Sequence, residues 1–163
     1  MTERTIQDEW PEEASYCWGC GKNNTHGLQL KSYWQDEETV ATFVPKTYHL
    51  AFPGILNGGI IATLIDCHAT GTANAIAHKT SGADQVMHVT ASLKVKFLKP
   101  TPLDKPVTLR ASVKEIDENK TVLFCSLYSG DTVCATGEVT TVGVDLKMFV
   151  KDDVDESRIL GVK

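Results

Sequence analysis

Only one stretch of this chain carries sustained helical periodicity, and everything around it alternates like strand. Asn57 is a good N-cap, Gly58 and Gly59 open the first turn, and IIATLIDCHATGTANAIAHK continues at helical spacing. At about 100° per residue, Ile61, Leu64, Ile65, His68, Thr72 and Ile76 share one face. Gly59, Ala62, Thr70, Ala73 and Ala77 line the opposite side, with Asp66 among them. A carboxylate in a helix interior, on a face of small residues, leaves room for a ligand or a partner chain to come close.

The rest of the sequence reads as strands. Leu28 to Trp34 and residues 39–45 form a hairpin turned at Asp36-Glu37-Glu38. A turn over 80–85 follows the helix, and residues 85–100 then make a long strand with Val89, Ala91, Leu93, Val95 and Phe97 on one face. Residues 106–116, 121–129 and 132–144 form a meander. The order of two strands, one helix and four strands predicts an α+β fold, a long central helix wrapped by an antiparallel sheet of about six strands. One helix leaves part of such a sheet uncovered, so the chain is expected to pair with a copy of itself. Its organisation is expected to be an N-terminal extension over 1–16, mobile or helical, one domain over 17–144, and a charged tail over 145–163.

With 163 residues and a formal net charge of −5, the chain has no excess of positive charge to hold nucleic acid or an anionic membrane. No apolar run is long enough to span a bilayer, and MTERTIQDEWPEE lacks the apolar core of a signal peptide, so a cytoplasmic protein is expected. Five cysteines, an odd count, then read as reduced thiols. Cys17 and Cys20 form a CxxC with His26 nearby, but no second pair follows at finger spacing, so a packed loop without metal is expected. Cys67 adjoins Asp66, about 100° around the helix, and His68 falls on the apolar face, which argues against a Cys/His dyad. No glycine-rich phosphate loop is present.

The segment HLAFPGILNGGIIATLIDCHAT resembles the signature of the hotdog-fold acyl-CoA thioesterases of the phenylacetate-degradation and hydroxybenzoyl-CoA type. That signature runs Pro-Gly-x-x-His-Gly-Gly with an acidic residue further along the helix. Pro53-Gly54 and Gly58-Gly59 match, Asp66 stands at the position of the acid, and Asn57 replaces the usual His. CWGCGKNNTHGLQL upstream and HVTASLKVKFLKPTPL downstream resemble two further family segments in the right order, so the likeness covers roughly residues 17 to 143.

The resemblance implies hydrolysis of an acyl-CoA to free acid and CoA by a cytoplasmic homodimer, or a homotetramer built as a dimer of dimers. It implies no metal or redox cofactor, coenzyme A being part of the substrate. Asp66 is then the catalytic carboxylate, as general base or nucleophile, with backbone N–H groups at Gly58 and Gly59 as oxyanion donors. Asn57 caps the helix and contacts substrate, while Thr90 holds the attacking water from across the dimer. His49, Pro53 and Gly54 border the pocket. Lys94, Lys96 and Lys99 either meet the coenzyme A phosphates or guard an exposed strand edge. Two other functions fit the same fold: a sensor that binds acyl-CoA without turnover, and a hydratase or dehydratase, which generally needs the missing His.

Overall fold

In a computed structural model, which describes residues 4–81 and 86–148, the helix and strands appear in the expected order. Strands β1 (Ser32–Gln35) and β2 (Glu38–Phe43) precede the helix α1 (Gly58–Ser81), and β3 (Val86–Phe97), β4 (Val107–Asp117), β5 (Lys120–Ser129) and β6 (Thr132–Asp145) follow it. They form one antiparallel sheet in the order β1-β2-β4-β5-β6-β3. This is the hotdog arrangement, with α1 lying across one face of the sheet. Among the described residues β3 pairs only with β6, which leaves its other edge unpaired. None of the described helices is long and apolar enough to cross a membrane.

The helix and sheet meet where the periodicity of each is apolar. Leu64 and Ile65 are fully buried against Leu109, Leu123, Leu127 and Val139. Complete burial of one such side chain contributes about 1.5–3 kcal/mol, so this seam fixes which helix face turns inward. The close approach depends on Gly137 in β6, where a Cβ would stand 2.3 Å from Ile65 Cγ2. A polar network lies inside the same seam. His68 Nδ1 is 2.8 Å from Ser32 Oγ, and its Nε2 donates to the Thr39 carbonyl at 3.1 Å. Thr39 and Thr72 hydroxyls meet at 2.5 Å, and Gln7 Nε2 donates to Ser32 Oγ at 3.2 Å.

Three expectations need correction, and a fourth narrows to one of its alternatives. The residues from Leu28 to Lys31 are not strand, because Gln29 takes a left-handed backbone (φ 51°) and pairing starts only at Ser32. Ala73, placed on the outward small-residue face, is buried with Ala69. Of the two alternatives for the N-terminal segment, mobile or helical, its described part takes the helical one, as two 3₁₀ turns, Ile6–Glu9 and Glu12–Ala14, with Ile6 and Gln7 buried against the domain. Residues expected in the charged tail continue β6 to Asp145 and a 3₁₀ turn to Met148, and the remainder lies outside the described residues, as do 82–85 of the expected turn.

Candidate active site

Asp66 leaves the middle of α1 toward β3, on a stripe it shares with residues one and two turns on. Residues spaced by four lie above one another on a helix, and Asp66, Thr70 and Asn74 are so spaced. Asn74 ties the helix to the strand, its Oδ1 accepting from His88 N at 2.7 Å and its Nδ2 donating to His88 O at 3.1 Å. That clamp delivers Thr90, whose Oγ1 donates to Asp66 Oδ1 at 2.6 Å and lies 3.0 Å from the Thr70 hydroxyl. A bulge between Thr90 and Ser92 interrupts the β3–β6 ladder here, a common way of aiming a side chain at a site.

Within one chain Thr90 thus contacts that chain's own Asp66, where a threonine acting from across a dimer was expected. Burial lifts the Asp66 carboxyl above the ordinary carboxylate range, the Thr90 and Thr70 hydroxyls pull it back, and the sulfur of Cys17 adds to the rise. The carboxylate and both threonines open into a groove of about 340 Å³ walled by Trp10, Met87, Val89 and Leu146. An acyl chain needs such a mostly apolar wall with a few polar groups converging at one end.

The start of α1 is built from Asn57. Its N–H donates to the His49 carbonyl at 2.9 Å, which fixes the entry of the chain. Its Oδ1 accepts from Gly59 N at 2.8 Å and from Ile60 N at 3.2 Å, and its carbonyl accepts from Ile61 N. The cap thus occupies the Gly59 N–H expected to serve an oxyanion. Among the described residues the Gly58 N–H meets no acceptor, and a Cβ at Gly58 would meet the Phe97 ring at 3.4 Å. Eight residues separate Gly58 from Asp66, which at 1.5 Å per residue is about 12 Å along the axis. One chain therefore does not bring its free N–H and its carboxylate to a single carbonyl.

Several expected site residues lie elsewhere. His49 is buried, stacked on Phe43 at 5.4 Å, and its Nδ1 accepts from Lys46 N at 3.0 Å, so it braces Asn57. Pro53 and Gly54 form an exposed turn, with Gly54 at φ 79°. Lys94 and Lys96 flank Val95, which packs on the core, so they point to the sheet face away from the helix. There Lys94 lies 3.7 Å from Glu138, in a second groove that shares no residue with that of Asp66. Lys99 is exposed just beyond β3.

A cluster that sequence reasoning missed lies beside Asp66. Cys67 joins the Cys17–Cys20 pair, and the three Sγ atoms all lie within 4.8 Å of one another. Only the neighbour relation of Cys67 and Asp66 hinted at this, since the loop that carries the pair reaches α1 through tertiary packing.

Residues 53–136, from the turn before α1 into the first residues of β6, match the family model described as thioesterase superfamily. The chain belongs to the thioesterase superfamily. That matched span holds Gly58, Asp66 and Thr90 but not Cys17 or Cys20. Among superfamily members of known structure, a protein from Shewanella loihica PV-4 is 40% identical with a TM-score of 0.60, over 73% of this chain and 94% of that one. The PaaI protein of the E. coli phenylacetic acid degradation operon shares the fold, at 17% identity and a TM-score of 0.61 over 72% and 80%. The acyl-coenzyme A thioesterase THEM4 of Bos taurus is 31% identical over 122 residues, 75% of this chain and 44% of that protein. The chain thus spans less than half the length of the THEM4 relatives from Bos taurus and Mus musculus.

Proposed function

We propose that the chain hydrolyses acyl-CoA thioesters, with Asp66 as general base. The observation that carries this reading is the Thr90–Asp66–Thr70 constellation at the polar end of an apolar groove. The names of the THEM4 relatives support the substrate class. Thr90 and Thr70 hold one side of the carboxylate, so its free lone pairs orient a water. That water attacks the thioester carbonyl as Asp66 takes its proton. The tetrahedral oxyanion needs a fixed N–H donor, and the helix N-terminus adds its dipole to the one at Gly58. Collapse expels the coenzyme A thiolate, which receives the proton from Asp66 and leaves free acid behind.

The separation of Gly58 from Asp66 along α1 supports a donor that comes from a second copy. The free edge of β3 supplies the contact. Along it Val89 and Leu93 are each 37% exposed and Phe97 57%, with Leu98 just beyond the strand at 53%. An unpaired apolar edge of this length invites pairing with another strand. Two copies joined there place each chain's Asp66 and Thr90 against its partner's helix start, giving two sites per dimer. Lys94, Lys96 and Lys99 have no part in this mechanism.

Thiol release from a panel of short, medium, long-chain and aryl CoA thioesters tests the proposal, with wild type beside Asp66→Asn. Wild-type turnover that falls at least about a hundredfold in the variant is expected, with the folded state kept. Full turnover by Asp66→Asn overturns the role of Asp66. Tight acyl-CoA binding without turnover in the wild type turns the assignment to a binding protein.

A further inference from the structure

We propose that Cys17, Cys20 and Cys67 bind a zinc ion through three thiolates, with the fourth coordination position open to the groove that carries Asp66. This departs from the expectation of a chain without metal, and it stands independently of thioester hydrolysis. Three features of the cluster point the same way.

The first is spacing. Tetrahedral zinc with bonds of about 2.3 Å requires sulfurs about 3.8 Å apart. Cys17 Sγ and Cys67 Sγ are 3.8 Å apart, and all three sulfurs lie within 4.8 Å. The second is the turn itself. In Cys17-Trp18-Gly19-Cys20-Gly21 the chain folds back on itself, with Gly21 N donating to Cys17 O at 2.7 Å.

The third is the seating of that turn on the helix. A Cβ at Gly19 would lie 2.2 Å from Cys67 Sγ, so glycine is what lets the CxxC reach the third ligand. Cys20 and Cys67 are buried beneath an exposed Cys17, which gives the ion a path in. Cys17, Cys20, Asp66 and Cys67 all line one groove, so the open position faces the candidate site and takes a water. Three protein ligands with one open position is the pattern of zinc that meets small molecules, whereas purely structural zinc takes four. The ion would also pin the N-terminal loop to α1 next to the carboxylate.

The test uses the full chain purified under reductant, stripped, reloaded with zinc and desalted before metal analysis. Wild type is expected to keep about one zinc per chain, and Cys17→Ser, a change at an exposed position, at least about tenfold less. Cys125→Ala, which alters a buried cysteine outside the cluster, keeps its zinc. Cobalt in place of zinc is expected to show thiolate charge-transfer bands and tetrahedral visible bands that Cys20→Ser alters. Wild type that retains no metal after reduction and reloading overturns the proposal. So does equal zinc retention by Cys17→Ser. A Cys17–Cys20 or Cys17–Cys67 disulfide that reduction converts to free thiols without zinc affinity makes the cluster a redox pair and refutes the site as well.

Discussion

Thr90 matters for the direction of one hydrogen bond. Its hydroxyl donates to Asp66 at 2.6 Å, so it holds the carboxylate in one rotamer and turns the remaining lone pairs to the groove. Thr90→Val keeps the shape and deletes the donor. Its kcat is expected to fall about tenfold with KM little changed, because the lost interaction orients the base. Thr90→Ser, which restores a hydroxyl, is expected to recover most of the rate. A rate kept by Thr90→Val and lost by Thr90→Ser would show that the methyl group's packing is what counts. Asn57 shows the same economy of placement: its side chain closes the helix start on Gly59 and Ile60 and leaves only Gly58 facing outward. The Asn that replaces the usual His therefore acts as a cap here.

At the scale of elements, α1 is held to the sheet by an apolar seam and a buried polar one. Burial holds the His68 imidazole down at about 4, against an ordinary value of 6.5, with the Thr39 carbonyl opposing. The folded-state value is lowered, so the unfolded chain takes up a proton below 6.5 that the fold refuses until about 4. The resulting stability is present in full above 6.5 and is lost as pH falls through that window, by about 3 kcal/mol. Thermal unfolding followed from pH 7.5 to 4.5 is expected to show a Tm drop that is much smaller in His68→Gln. An unchanged slope in that variant would assign the acid sensitivity to other groups.

These elements also show what the sequence could say. Helical spacing placed Leu64, Ile65 and His68 inward and Asp66 outward, because periodicity is a local property. The meander of β4, β5 and β6 was likewise legible from alternation and turns. What escaped were contacts made by loops: the seating of Cys17 and Cys20 on Cys67, the packing of Gln7 on Ser32, and the crossing that sets Thr90 beside its own Asp66. Each depends on how the chain returns on itself, and no spacing along one segment encodes that.

For the whole molecule, the central claim is that two copies complete each site, Asp66 and Thr90 from one and the Gly58 N–H from the other. Two variants separate the halves. Asp66→Asn removes the base, and Gly58→Pro removes the N–H at the helix position where proline is best tolerated. Each alone is expected to lose turnover by about a hundredfold or more. The deciding measurement is thiol release by the two variants co-expressed in equal amounts. Random pairing makes half the dimers mixed, and each mixed dimer carries one intact site, so about a quarter of the wild-type rate is predicted. No recovery from two folded, co-purifying variants would contradict the account and place the whole reaction within one chain.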